Sequence, residues 1–419
     1  MTTAAKHDFR DALKIRDVRY FIGSIGFFTL ASRALAVVIG FQIYQITHNP
    51  MMLGWLGLVE AIPALSLVLF GGYVADRFSR HKILLITRAA SFLCAITLAW
   101  LSWHSQYGHS LPGLYAVVFF AGIARGFADP ANTAFEAQVV PKHLTVNASS
   151  WISSTWIGCS IAGPAAIGFI FDAYGAVGSY LVITACFIFS WLCTMMISPK
   201  PLPAAPQNQE SIFKSIGIGW HFVFKNEPLL AAMSLDLFAV LFGGAMALLP
   251  VYANDILHVG AKGLGLLNAA PSLGAVLITL LATHKPPIAR AGRNLMLSVL
   301  GFGLSILVFA FSKNFILSMT ALFFSGIFDG VSMVIRRSMV RLLSPDHLRG
   351  RIAAASWIFI CSSNELGAFE SGMVAGLIGT VPCVALGGCL TLAIVGSAAL
   401  LAKQLRGLRF NVHTMEREK

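Results

Sequence analysis

The chain has 419 residues, of which 57% are hydrophobic and only 11% charged, and its mean hydropathy is +0.75. Soluble domains carry about 25% charged residues, so the composition argues against a water-soluble globule. The net charge of +12 would suit a polyanionic partner, but the placement of the basic residues assigns it to topology instead.

A membrane-crossing helix needs about 20 apolar residues. Twelve such runs, separated by polar turns, lie at about 18–46, 52–76, 83–103, 112–138, 145–171, 176–198, 228–253, 262–283, 294–312, 314–342, 352–377 and 380–402. They are continuous rather than alternating, unlike the strands of a membrane β-barrel. The expected fold class is an all-α polytopic membrane protein with twelve transmembrane helices. The first 17 residues are polar and lack the short apolar core and cleavage site of a signal peptide, so no removed leader is expected. Of the 30 Lys and Arg residues, 24 fall in the two tails or in every second loop, starting with the loop after span 2. The opposite loops hold only Lys262 and Lys313, while Arg33, Arg125, Arg336 and Arg337 lie inside spans. The positive-inside rule then puts both termini in the cytoplasm. The seven cysteines all fall in spans without a Cys-x-x-Cys pair, and read as ordinary buried thiols.

Between spans 2 and 3 stands GGYVADRFSRHK, residues 71–82. Gly72, Asp76, Arg77 and Arg80 match Gly-x-x-x-Asp-Arg-x-Gly-Arg, with Ser79 where glycine is preferred, and so the loop resembles motif A of the major facilitator superfamily. Small residues let helices approach closely, and an aspartate among basic groups can form a latch that breaks in another conformation.

Span 4 contains GIARGFADPANTAFE, residues 122–136, with three charges in a membrane segment. With Arg125 at zero on a helix turning 100° per residue, Asp129 falls at about 40°, Asn132 at about −20° and Glu136 at about 20°, so one stripe is expected. Pro130 removes a backbone donor inside this stripe. Span 5 carries GCSIAGPAAIG, whose Gly158, Gly163, Pro164 and Gly168 partly resemble the antiporter motif of drug–proton exchangers. Small-residue packing alone also accounts for that stretch.

PKPLPAAPQNQE, residues 199–210, is proline-rich and polar and reads as an extended linker. In the following SIFKSIGIGWHFVFK, the spacing of Ile212, Phe213, Ile216, Trp220 and Val223 predicts an amphipathic helix on the inner membrane surface.

An internal repeat ties the halves together. FFAGIARG at 119–126 recurs as FFSGIFDG at 323–330, and the same shift of 204 residues carries Pro141, His143 and Leu144 onto Pro345, His347 and Leu348. It maps Arg125 onto Asp329 and Asn132 onto Arg336. The expected organisation is residues 1–198 as an N-terminal six-helix bundle, 199–227 as a cytoplasmic linker with the amphipathic helix, 228–402 as a C-terminal six-helix bundle and 403–419 as a cytoplasmic tail, a pseudo-symmetric arrangement of parallel halves. SPDHLRGRIAAASW and NELGAFESGMVAG, in the second half, resemble the subgroup that contains the enterobactin exporter.

That resemblance implies a fold in which helices 1, 4, 7 and 10 line a cavity, 2, 5, 8 and 11 flank it, and 3, 6, 9 and 12 stand outside. The intramembrane charges follow this scheme: Arg33 in span 1, Glu60 in span 2, Asp236 in span 7, Asp329 and Arg336 in span 10, Glu365 and Glu370 in span 11. Arg88 reads as lying near the inner end of span 3. Each central charge costs about 2.5–3.5 kcal/mol on insertion scales, so these residues should face water, partners or substrate. Asp129, Glu136, Glu60, Asp236 and Glu365 are proton-coupling candidates. Arg33, Arg125, Asn132, Asp329, Arg336 and Glu370 are cavity candidates, although Arg125–Asp129, Arg33–Glu60 and Asp329–Arg336 read equally as structural pairs. Phe27, Phe41, Tyr44, Trp55, Phe238 and Trp357 are candidates to stack a planar substrate.

The expected function is a monomeric secondary active transporter of the inner membrane, exporting a siderophore or drug against protons, with sodium an open alternative. Import of a lysophospholipid or metal chelate is the rival within that class. A membrane-embedded enzyme is disfavoured, since no His-x-x-x-His or Walker-type stretch occurs, and a channel would not need a repeat-related pair of rocking bundles. No cofactor, metal or nucleic-acid partner is expected.

Overall fold

The computed structural model describes residues 10–104, 111–201, 212–284, 287–345 and 348–410. Helices cover each of the twelve expected stretches. They are α1 Arg16–Thr47, α2 Pro50–Arg77, α3 Arg80–His104, α4 Leu111–Val139, then α5 and α6 as the two limbs of Thr145–Met195. After them come α7 Glu227–Phe242, α8 Gly260–His284, α9 Ala291–Phe311, α10 Phe315–Leu343, α11 Arg349–Ile378 and α12 Thr380–Leu401. Among the described residues, ten helical segments are long and apolar enough to cross a membrane, with α5 and α6 forming one of them. The α5–α6 break falls at Gly175, whose φ of 66° suits a residue without a side chain.

Span 7 is less regular than its sequence suggests. α7 stops at Phe242, and the chain continues through Gly243 and Gly244 into a 3₁₀ turn, Ala245–Leu248, and a π-turn, Tyr252–Ile256. A side chain at Gly244 would run into the Gly367 carbonyl of α11, so the broken backbone is packed against protein, where such irregularity is tolerated in a membrane segment.

The chain divides into two compact units, residues 1–42 with 59–207, and residues 43–58 with 208–419. Thus the end of α1 and the start of α2 pack with the second unit: Trp55 meets Phe369 edge-on at 5.3 Å. The first unit is cored by Phe21, Ile25, Leu84 and Phe135, and the second by Leu235, Leu295, Val299 and Ile335.

In each unit the repeated Gly-x-x-x-Gly packs one helix onto another. A methyl group at Gly122 would strike the Glu60 carbonyl and Pro63 on α2, and one at Gly126 would meet Ala64 and Leu67. At the equivalent Gly326 and Gly330, the obstacles are Pro271 and Ala275 on α8. Small residues buy this close approach, as in membrane helix pairs generally.

The linker residues from 202 to 211 lie outside the described residues, as does the tail from 411. Upstream, Lys200 forms a 2.6 Å ion pair with Asp17 at the start of α1. The expected amphipathic helix is present at Ile212–Lys225. Its Val223 is buried with Met233 and Ile352 in the second unit, while Phe224 stays exposed and stacks on Trp220. The side chains of Ile212, Phe213 and Ile216, and that of Trp357, lie outside the described residues.

Candidate transport site

In the first unit, Arg125 on α4 is the centre of a three-residue cluster. Its Nη1 lies 2.9 Å from Oε1 of Glu60 on α2, and its Nε 3.7 Å from Oδ2 of Asp129 one helical turn on. The intrahelical pair was expected from spacing, but Glu60 bonds Arg125, while Arg33 stacks over Trp156 of α5 at 5.6 Å. All three members of the cluster are half-exposed: the arginine is 45%, Glu60 37% and Asp129 52% accessible.

The rest of the expected stripe separates. Asn132 accepts from Arg88 of α3 at 3.4 Å, and Glu136 accepts from Ser149 of α5 at 3.3 Å. Both fall within the arc that helical geometry assigned, yet each is captured by a different neighbour. The carbonyl of Gly126, which loses its helical donor to Pro130, faces Gly71 of α2 where a side chain would not fit.

In the second unit, Arg336 on α10, the repeat counterpart of Asn132, is the centre of a similar cluster. Its Nη1 is 2.5 Å from Oδ2 of Asp236 on α7, its Nη2 is 3.9 Å from Oδ1 of Asp329 two turns back, and its Nε donates to Ser332 at 3.2 Å. Arg336 and Asp236 are only 12% and 8% accessible, against 39% for Asp329. Glu370 on α11 accepts from the adjacent Ser371 at 3.3 Å, and Glu365 is partly buried on the same helix. In each unit, then, one arginine bonds two carboxylates, and in the first unit Arg33 of α1 also lies within electrostatic reach of Asp129. The sequence marked all six residues but did not show that α2 and α7 supply the third members.

The profile of the Major Facilitator Superfamily matches residues 21–368. The chain belongs to the Major Facilitator Superfamily. It is 26% identical over 368 residues to the protein named Enterobactin exporter EntS of Shigella boydii serotype 4, and 27% identical to its namesake in Shigella flexneri, covering in each case 88% of this chain and 87% of the relative. A solved POT family transporter in complex with 5-aminolevulinic acid superposes with a TM-score of 0.75 at 11% identity, over 93% of this chain and 96% of that one. This is a multi-pass membrane protein of a transporter family, with the major facilitator fold.

The superfamily's motif A can now be placed. Arg80 donates from Nε to the Ala75 carbonyl and from Nη1 to the Ala134 carbonyl of α4, both at 3.0 Å, and pairs with Asp76 at 3.4 Å. Arg77 lies over the Tyr73 ring at 4.3 Å. The close helix approach expected of Gly72 belongs to its neighbour: Gly72 faces open space, while Gly71 abuts α4. In the antiporter-like stretch, Gly163 packs on Leu30 and Arg33 of α1, Gly158 has open space beside it, and Pro164 and Gly168 are buried.

Among the expected aromatic platforms, Phe41 is buried against Phe171, and the Tyr44 hydroxyl donates to Asp255. Phe27 and Phe238 are half-exposed and pair with Phe189 and Phe242. The signal that sequence reading underused is Arg88. It lies near the start of α3, as expected, but is 2% accessible and bonded to Ser190 and Asn132 in the interior of the first unit.

Proposed function

We propose that this protein is a secondary active exporter of the bacterial inner membrane, with cytoplasmic termini, working as a monomer. It moves a small amphipathic anion of the siderophore type outward by alternating access, in exchange for protons. The reading rests on one observation above all: each unit holds a carboxylate–guanidinium–carboxylate cluster at repeat-related helices, Glu60–Arg125–Asp129 and Asp236–Arg336–Asp329.

In each cluster two acids share the donors of one arginine. Burial favours the neutral carboxyl and a nearby guanidinium favours the ionised one, so a change of exposure shifts the balance and binds or releases a proton. Protonation weakens the acid's hold on the arginine, which then offers its fork of N–H donors to an anionic solute. The ionised acid and an anionic solute thus compete for the same guanidinium, which links the proton to the solute, while exchange rather than joint movement draws on the partial antiporter-like stretch of α5. Glu136 and Glu365 are secondary acids in this scheme, and Gly72, Asp76, Arg77 and Arg80 act as the latch that differs between conformations. Outward direction and siderophore substrate draw on the name borne by the relatives.

The test is transport of enterobactin into inside-out proteoliposomes under an imposed pH gradient. Saturable, gradient-driven uptake that collapses when the gradient is dissipated supports the proposal. Uptake driven by a sodium gradient instead would move the coupling to Na⁺. Preferential movement of a lysophospholipid or ferric chelate in the opposite sense would replace export by import, and flux without saturation would point to a channel.

A further inference from the structure

Arg88 sits on α3 in the interior of the first unit, among α1, α4 and α6, and is 2% accessible. Among the described residues it has no carboxylate within ion-pair distance. Its Nη1 donates to Ser190 Oγ of α6 at 2.8 Å, its Nη2 to Asn132 Oδ1 of α4 at 3.4 Å, its plane lies over Phe28 of α1 at 4.7 Å, and its Nε has no acceptor. Cys193 is the other titratable group close to it. A buried cation without a counter-charge is expensive, so its retention calls for a role that a neutral side chain would not fill.

Its neighbours suggest that role. Ser190 is bonded reciprocally to Ser24 of α1: its Oγ donates to the Ser24 carbonyl at 2.7 Å, and its carbonyl accepts from Ser24 Oγ at 3.1 Å. Ser24 also meets Thr194 at 2.5 Å, and the Thr194 carbonyl lies 2.8 Å from Nε2 of His81 beside motif A. Further along α4, Arg80 bonds the Ala134 carbonyl and His81 stacks on Phe135. Thus α3 grips α4 at 132, 134 and 135, all beyond Pro130. Pro130 deletes the hydrogen bond to Gly126 that would lock the helix across this point, so the rotation of one limb against the other needs an outside tie.

We infer that Arg88 is a positioning residue for transport: by clamping Asn132 it sets the rotation of α4 that presents Arg125 and Asp129. The role rests on the reading of α4 as part of the transport path. Once the clamp is lost, Arg125 and Asp129 swing from their binding orientation although neither side chain has itself been changed.

The experiment uses the full-length protein in proteoliposomes with enterobactin as probe, and compares Arg88→Gln, Arg88→Lys, Asn132→Ala and the Gln/Ala double variant. Arg88→Gln and Asn132→Ala are each expected to raise KM about fivefold, which is about 1 kcal/mol at 1.36 kcal/mol per tenfold. The maximal rate per reconstituted transporter holds within about twofold, the double variant is no worse than either single one, and Arg88→Lys recovers most of the loss. A double variant impaired about 25-fold, or an Arg88→Gln protein with unchanged KM, would overturn the role. If Arg88→Gln fails to fold, Asn132→Asp supplies the missing counter-charge, and its melting temperature must rise above that of the native protein; no rise is also fatal. Asn132→Ala with native KM but non-additive melting would instead retire the transport reading of α4.

Discussion

The two clusters share a composition and differ in their surroundings. Glu60–Arg125–Asp129 in the first unit is half-exposed throughout, whereas Arg336 and Asp236 in the second are sealed and only Asp329 reaches outward. The repeat places Arg125 opposite Asp329 and Asn132 opposite Arg336, so the arginine has moved two turns along its helix between the halves. That shift brings the second guanidinium to Asp236 on α7 in place of an α2-type partner. A solvated ion pair is worth about 0–1 kcal/mol, while stripping one partner from a buried pair costs about 3–5 kcal/mol. Similar inventories of charge therefore differ in what they cost to break: the first cluster exchanges partners at little cost, and the second ties α7 to α10.

The most direct way to break the comparison is Arg336→Gln. Removing the guanidinium leaves Asp236 buried and uncompensated, and a stability loss of about 3–5 kcal/mol is expected, read as a collapsed melting temperature in detergent. Arg336→Gln with Asp236→Asn should recover most of it, because neither charge is then stranded. The counterpart Arg125→Gln should cost no more than about 1 kcal/mol. Equal losses at 125 and 336 would show that the difference in burial carries no energetic weight.

A smaller effect is expected where each unit packs its repeated glycines. Gly71→Ala inserts a methyl group against the Gly126 carbonyl, and Gly326→Ala one against Pro271. Each should destabilise by about 1–3 kcal/mol through overpacking. Gly72→Ala, with open space beside it, should stay within about 0.5 kcal/mol of the native protein. A Gly72→Ala protein that melts normally but transports slowly would instead assign this glycine to a conformation other than the present one.

The lines on which the sequence was legible are those fixed by one helix's own geometry. Continuous apolar runs specify the spans, and the repeat specifies that FFAGIARG and FFSGIFDG pack alike. The i, i+4 spacing specifies that Arg125 reaches Asp129. Hidden from it were contacts that two helices decide jointly. Nothing in the spacing of α4 says that Asn132 turns to Arg88 and Glu136 to Ser149, because an arc of about 60° spans more than one neighbouring helix. Nor does the motif reveal that Gly71, not Gly72, meets α4, since which face approaches depends on how α2 is rotated. The break at Gly243 and Gly244 escaped for a similar cause: the run at 228–253 stays apolar across both glycines, and only the contact with α11 shows the helix interrupted. Arg88 shows the limit most sharply, since a cation close to a basic loop reads as topology until its burial is known.

The least disruptive changes sharpen the comparison furthest. Glu60→Gln and Asp129→Asn each remove one carboxylate from a half-exposed cluster, so melting should shift by no more than about 1 kcal/mol. If the first cluster carries the exchanging proton, gradient-driven transport in at least one of these variants loses its dependence on pH while substrate-driven counterflow persists, since the solute still finds Arg125. If Asp236 carries it, both first-unit variants keep the native pH profile, and Asp236→Asn alone flattens it. Removing that acid also frees Arg336 from its 2.5 Å pair, so Asp236→Asn should bind an anionic solute more tightly even as it ceases to couple. Tight binding joined to uncoupled flux would thus distinguish a lost proton site from mere damage, which weakens both.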